Sequence, residues 1–467
     1  MITRDLRIVG GVRGEFPGQG THFRGRAVWL AGRVVRCLPA EWVRGASPVL
    51  PCPDEGPPIS GRLQLPESIR NGILQEYRLR SLVRTGRSPS SVAANSSGIL
   101  MIQSIRCAVL LAALVGLLDG RSARAAEPLT TIAFGSCAKQ DQPQPIWQAV
   151  RATQPQLFVF LGDNIYGDTQ DMALLRRKWG QLAEQPGFQA LRQSCRVTGT
   201  WDDHDYGQDD AGAEYPHKRE SQQIFLDFLQ VPQDDPRRTR EGVYSAEVYG
   251  PPGQRVQVIL LDARYHRSPQ KKGFQPGEPG EGFRGKYLPN TDPGVTVLGE
   301  TQWAWLAEQL RVPAELRVIG SGVQVVPDEH GSESWGNFPN ERRRLFRTIR
   351  ESGATGVVLL SGDRHLAEIA RLPVEHPDSI GYPLYDITSS SLNAPSGNFT
   401  KAGVRFANEI NSYRMGLTYF DVNFGTIQID WTAADPIVRL QVRDLEGGVV
   451  LQQRVKLSDL RRRVAGQ

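Results

Sequence analysis

The chain has 467 residues, with 55 Lys+Arg against 50 Asp+Glu, a formal net charge of +5 and five Cys. That length carries one large domain or two to three ordinary ones and buries a full core, which excludes a mini-protein. Five Cys exclude a disulfide scaffold, and 8% aromatic residues with charges of both signs exclude wholesale disorder.

The charge is uneven along the chain. Residues 1–100 contain 14 Arg, no Lys and 7 Asp+Glu, a net of +7, among abundant Gly, Pro and Ser. Their best short apolar run is Ala27–Cys37, and no stretch keeps a helical or strand period for long. Such a segment reads as a disordered or spurious leader; the rival is a basic arm that binds nucleic acid electrostatically. Met101 opens a different pattern. Arg106 precedes the 12 apolar residues Cys107–Leu118, and Ala123-Arg124-Ala125 follows as a small-x-small cleavage pattern. Residues 101–125 are therefore expected to be a secretory signal peptide. Their apolar run is shorter than the ~20 residues that span a bilayer, so no transmembrane anchor is expected. Signal peptides belong at the start of a chain, so residues 1–100 are expected to lie outside the working protein. Residues 126–467 then form one domain with a net charge of −4, secreted or periplasmic, with no nucleic-acid partner expected beyond a possible substrate.

In that domain short apolar runs alternate with amphipathic segments. Strands are expected at Thr131–Phe134, Leu157–Leu161, Arg196–Thr200, Val256–Leu261, Leu316–Ile319, Val323–Val326, Val357–Leu360 and Leu384–Thr388. Helices are expected at Pro145–Thr153, Glu300–Leu310 and Glu341–Glu351. The unbroken apolar run at Leu157–Leu161 is the mark of a strand buried on both faces. From about residue 417, Phe420–Phe424, Thr426–Trp431, Ile437–Val442 and Val449–Val455 read as antiparallel strands. The order argues for an α/β core with helices on both faces. Residues 266–299 and 327–340 break the rhythm and are either functional loops or solvated insertions.

Four of the apolar runs end in polar clusters that hold Cys137, Asp163, Asp203 with His204, and Asp363 with His365. In open α/β sheets ligands bind outside the carboxyl ends of the strands, so these clusters can converge. Clustered carboxylates repel one another unless a cation lies between them, which points to a metal site. Asp163 can bridge two metals. Tyr166 lies three residues beyond it, and Asp363 and His365 lie two apart, so each pair can serve one ion. Two cations can activate a water as hydroxide for in-line attack on a phosphate, and Arg264, just past another strand end, can grip its oxygens.

Taken together, GSC at 135–137, GDNIY at 162–166, TWDDHDYG at 200–207, LLDARYHR at 260–267, LGETQWAWL at 298–306 and GDRH at 362–365 resemble the motif series of the alkaline phosphatase D family. That family belongs to the calcineurin-like metallophosphatases. The resemblance runs from about Ile132 to about Asn393. It implies a four-layer αββα core and metal-dependent hydrolysis of a phosphate ester, monoester or diester, phospholipid head groups included. It also implies ferric iron and calcium as cofactors, with other divalent metals possible. Carried over by position, Cys137, Asp163 and Tyr166 would hold iron, and Asp203, Asp363 and His365 would complete the cluster. His204 and Arg264 would sit near the phosphate as catalytic residues. Asp202 is a rival ligand to Asp203, and Cys137 has rival readings as a core thiol or a disulfide partner of Cys195. His217, His266, His330 and His376 are expected on surfaces or loops. Two features depart from the family: no β-sandwich precedes the GSC strand, and Arg364 occupies a place where small or apolar residues are common. A non-catalytic relative that binds phosphate or metal is the alternative.

Overall fold

The computed structural model describes residues 127–273, 286–398, 406 and 409–462, with the backbone of four short strands before residue 39. The expected signal peptide at 101–125 lies outside the described residues. The chain divides into two compact units, Met1–Ser96 and Ser97–Gln467. In the first, β1 (Arg7–Ile8), β2 (Val12–Gly14) and β4 (Arg33–Leu38) all pair antiparallel with β3 (Phe23–Leu30). The β3–β4 pair covers the one short apolar run of that segment.

The second unit is built on two six-stranded mixed sheets. The first runs β16-β15-β14-β5-β6-β7. Here β5 (Thr131–Gly135), β6 (Leu157–Leu161) and β7 (Arg196–Thr200) are parallel. The antiparallel group β14 (Phe424–Asp430), β15 (Ile437–Arg443) and β16 (Val449–Lys456) extends that sheet. The second sheet runs β12-β13-β11-β10-β9-β8. Its β9 (Val256–Leu260), β10 (Leu316–Ser321), β11 (Val357–Ser361) and β13 (Leu384–Ser389) are parallel. Antiparallel β8 (Ser245–Tyr249) and β12 (Ala367–Leu372) close its two edges.

Alternate residues of β6 explain the layers. Leu157, Val159 and Leu161 belong to the core shared with the second sheet, among Val258, Leu260 and Val318. Phe158 and Phe160 point the other way, into a core with α1 (Ile146–Ala152), α2 (Met172–Glu184), α3 (Pro186–Ser194) and α5 (Lys218–Phe228). The four-residue α4 (Asp203–Tyr206) lies between α3 and α5 in the chain. Trp147 of α1 meets Phe158 edge-on at 5.3 Å. On the far side, Trp303 and Leu306 of α6 (Gly299–Gln309) and Leu345, Phe346 and Ile349 of α7 (Pro339–Ser352) cover the second sheet. Helix, sheet, sheet and helix stack in the expected four layers, which is why five successive apolar residues of β6 are all buried.

Several expectations fail locally. Val323–Val326 forms no strand, although Val325 and Val326 are buried. The Asp386 carboxylate accepts both of their N–H groups at 2.9 Å, so a side chain does the work of a ladder. Phe420–Phe424 is irregular until β14 begins at Phe424, which runs on through Asp430. The reading by period missed α2, α3, α5, β8 and β12. Strand β8 is an edge strand with no fully buried residue, so it shows no apolar run.

Candidate metal centre

The site forms where the parallel strands of both sheets end. The two sheets touch there: Thr200 Oγ1 donates to the Leu261 carbonyl at 2.7 Å, and Leu392 N–H to the Ser136 carbonyl at 3.0 Å. Approach is close enough to demand glycine. A Cβ on Gly162, at φ +90°, would lie 2.3 Å from Asp202 Cβ, and one on Gly322 would lie 2.5 Å from Asp202 Oδ1. Four of the expected ligands hold left-handed backbone: Cys137 (φ 57°), Asp163 (φ 50°), Asp363 (φ 69°) and His365 (φ 53°). Non-glycine residues rarely adopt it, and such strain concentrates at functional sites.

These turns bring the expected residues together. Cys137 Sγ lies 3.4 Å from Asp163 Oδ2 and 3.1 Å from Ser390 Oγ. Tyr166 Oη is 3.4 Å from His365 Nε2. His365 Nδ1 faces the Ala394 carbonyl at 2.5 Å. A carbonyl only accepts, so Nδ1 carries the proton and Nε2 keeps its lone pair for a ligand. Candidate ligand atoms lie within 4.8 Å of one another in four overlapping groups: Cys137–Asp163–His365, Asp163–Asp203–His204, Asp202–Asp203–Asp363 and Asp203–Asp210–Glu333. Asp163, Asp202 and Asp203 are buried, whereas Tyr166, His204, Asp363 and His365 are half-buried and form a rim. The ring of Tyr166 lies 4.5 Å from that of His204.

The donor set fits cations. Among the described residues Asp163 Oδ1, Asp202 Oδ2 and Asp203 Oδ1 are buried and accept no hydrogen bond. Buried unpaired oxygens are costly, and a cation would pair them. Burial, then the charges of Cys137 and Asp203, pushes Asp163 well above the ordinary carboxyl range. Burial raises Asp363 likewise, with Asp202 and Glu333 adding to it. Burial also moves the Cys137 thiol up to about 11 and the Tyr166 phenol well above 10. A cation would reverse these shifts by favouring the anions.

Beside this cluster lies a second, built on Arg264. Arg264 is fully buried. Its Nε donates to Asp202 Oδ1 at 2.5 Å, and its Nη1 and Nη2 donate to Glu333 at 3.0 and 2.6 Å. Its guanidinium is thus engaged by carboxylates rather than left open for a phosphate. Burial leaves Asp202 pushed up to about 8 despite this partner. Burial would raise Asp203 too, but Arg264 and His204 hold it below the ordinary range. Asp205 locks the loop by accepting from Asp202 N at 2.6 Å and from Asn164 Nδ2 at 2.6 Å.

His204 Nδ1 lies 2.7 Å from Asp168 Oδ1. Burial lowers its pKa, but Asp163 and Asp168 more than offset that and raise it to about 11. Arg364 points away from the cluster: it is buried against Glu409 at 2.5 Å. His330 is not on the surface; it is fully buried, with burial and then Arg364 lowering its pKa. Cys137 and Cys195 are both free thiols, so the disulfide reading fails. Glu333, Asp210 and Ser390 escaped the sequence reading. Glu333 and Asp210 sit in loops with no preceding strand to flag them, whereas Ser390 follows β13 directly and a closer look at strand ends would have found it.

Two facing mixed sheets with acid, His and Cys side chains at their shared carboxyl ends define a four-layer α/β domain with a candidate metal centre. The chain belongs to the PhoD-like phosphatase family, whose model matches residues 132–439. It is therefore a phosphatase-type hydrolase whose substrate is a phosphate ester, and its family implies metal cofactors. A solved structure of PhoD is 17% identical, with a TM-score of 0.52 over 73% of this chain and 74% of that one. At that identity the likeness bears on fold alone. A dimetal phosphatase from Danio rerio is 15% identical (TM-score 0.43, covering 71% of this chain and 100% of that one). A search of curated proteins finds no match.

Proposed function

We propose that this chain is an exported metal-dependent phosphoesterase, acting on phosphate monoesters, diesters or both. The observation that carries the reading is the trio of buried oxygens on Asp163, Asp202 and Asp203 that accept no hydrogen bond among the described residues, beside the His365 lone pair. Cys137, Asp163, Tyr166, Asp203, Asp363 and His365 would hold the cations, with ferric iron on the Cys137–Tyr166 side and calcium, or another divalent ion, beside the carboxylates. When bound, such cations supply Lewis acidity, which lowers the pKa of a water for in-line attack on phosphorus and offsets phosphoryl charge.

The chain's own residues do the rest. Asp168, which faces His204 Nδ1 at 2.7 Å, favours the imidazolium. With Nδ1 directed at Asp168, the His204 Nε2–H, 3.8 Å from Asp209 Oδ1, is the group that would protonate the leaving oxygen. Arg264 acts as a positioning residue: it fixes Asp202 and Glu333, and through them the loop that carries Asp203. Residues 101–125 would serve as the signal peptide and residues 1–100 would not belong to the working enzyme. N-terminal sequencing of exported protein should find a start at Ala126.

The decisive assay measures hydrolysis of a chromogenic monoester and a chromogenic diester, with metal analysis and a visible spectrum. A Tyr166–ferric pair gives a charge-transfer band that Tyr166→Phe abolishes. A colourless, fully active enzyme rejects iron, and an inactive protein with its metals in place supports the non-catalytic alternative.

A further inference from the structure

Among the candidate ligands, Asp363 has the least direct support. It follows β11, its backbone is left-handed at φ 69°, and no hydrogen bond to or from it is found among the described residues. Its carboxylate lies within 4.8 Å of those of Asp202 and Asp203, and carboxylates at that range repel. Repulsion and backbone strain both favour relaxation of the turn, so the hold on Asp363 must come from elsewhere. His365 differs, with three bonds of its own. Its N–H donates to Ser390 Oγ at 2.9 Å, its carbonyl accepts from Ser396 N–H at 2.9 Å, and its Nδ1 faces the Ala394 carbonyl.

The two chain neighbours of Asp363 supply the hold. Gly362 N–H donates to the Gly322 carbonyl at 2.9 Å, and Arg364 N–H donates to the Gly362 carbonyl at 2.9 Å, which closes the turn around Asp363. The Arg364 side chain runs the other way, into the protein. Its Nη2 meets Glu409 Oε2 at 2.5 Å, and its guanidinium lies 5.1 Å from the Phe406 ring centroid. Both side chains of the pair are buried, 3% and 0% exposed. Glu409 is fixed in turn. Its carbonyl accepts from Arg414 Nη1 at 3.2 Å, and Arg414 Nε donates to Glu368 of β12 at 2.5 Å. The chain beyond it lies along β12: Arg371 N–H donates to the Tyr413 carbonyl at 2.9 Å, and Met415 N–H to the Ile369 carbonyl at 2.7 Å. A buried guanidinium that left its carboxylate would strand both charges, so the pair holds Arg364 in one place.

Resting on the metal-centre reading above, we propose that the Arg364–Glu409 pair positions Asp363: it pins the residue that follows the carboxylate and so keeps that carboxylate in the cation cluster.

The test titrates the full-length, chelator-treated protein with Co²⁺ and follows amide exchange at Arg364 in the metal-free state. Glu409→Gln and Arg364→Met should each weaken Co²⁺ binding by about 10- to 100-fold. The double variant should lose no more than the worse single variant, because the two side chains act as one unit. Arg364→Lys reaches Glu409 with one donor and should recover most of the affinity, which keeps the test open if the methionine variant folds poorly. In metal-free protein the Arg364 amide should exchange faster in Glu409→Gln relative to the amides of β6, which report global opening. A pair that only stabilises the fold would lower the denaturation midpoint and leave both the Co²⁺ affinity and this exchange ratio as in wild type, and that result overturns the proposal. Wild-type protein that takes up no Co²⁺ overturns the metal-centre reading instead. The exchange ratio then decides alone: a raised ratio keeps the pair as the holder of the turn, and an unchanged one overturns it.

Discussion

The carboxylates at the strand ends fall into two groups that differ in what they lack. In front, among the described residues, Asp163 and Asp203 each keep a buried oxygen that accepts no hydrogen bond, although that of Asp203 lies 3.6 Å from Arg264 Nη2; beside them are the half-exposed Tyr166, His204 and His365. Behind, Glu333 has both oxygens on Arg264, and Asp202 is tied through one of its two. Both groups are equally acidic by sequence. The difference teaches that charge alone does not mark a ligand: an acid that has its cation inside the chain is scaffolding, and one that lacks it is a site. Asp202 and Asp203 belong to both, since each meets Arg264 and keeps one oxygen without a hydrogen bond among the described residues.

The sharpest way to break this division is to remove a front carboxylate. Asp163→Ala should lose bound metal and reduce ester hydrolysis on the order of a thousandfold or more, since metal activation carries several kcal/mol of the barrier. Near-normal turnover with metal analysis unchanged would sink the metal-centre reading as a whole. His204→Ala should cost about a hundredfold on an alkyl ester and much less on a nitrophenyl ester, whose leaving group needs no proton. Equal losses on both would make His204 structural.

A back-group variant should fail differently. Arg264→Met leaves Asp202 buried without its cation and Glu333 with Arg267 alone, and should cost about 3–5 kcal/mol of stability. The check is a chemical denaturation midpoint, with residual activity per folded molecule falling less than in Asp163→Ala. The smallest effect is on pH dependence. In chelator-treated protein the raised pKa values of Asp163, Asp363 and Asp202 mean that the folded state holds protons the unfolded chain has released. The stability these groups contribute is present below the unfolded value of 3.8 and is lost as pH rises through their folded values, about 8 for Asp202. The urea midpoint of metal-free protein should therefore fall between pH 5 and pH 8, and added metal should remove the decline.

Much of the site was legible because the fold announces strand ends. Asp163 and Asp363 each follow an apolar run and a glycine, and Cys137 follows the same kind of run through Gly135 and Ser136. Periodicity therefore located them without any tertiary information. Glu333 could not be found that way. It lies in the irregular 327–340 stretch, and its place beside Arg264 depends on how that loop folds back over 69 residues of separation. The left-handed backbone at Cys137 and His365 was equally invisible, since neither residue type advertises it. Arg264 was found as a residue but not in its setting, because a strand-end arginine looks the same whether it faces a ligand or a buried acid. The helices α2, α3 and α5 were missed although α2 spaces Leu175, Trp179 and Leu182 on one face.

No single sheet owns the cluster. Cys137, Asp163, Tyr166 and Asp203 hang from the sheet of β5–β7, while Asp363 and His365 hang from β11 of the other, about two hundred residues later in the chain. Half of the fold offers at most a partial set of donors. A nascent chain thus cannot assemble the full donor set until its late strands have docked on its early ones, and full metal content becomes a readout of completed assembly.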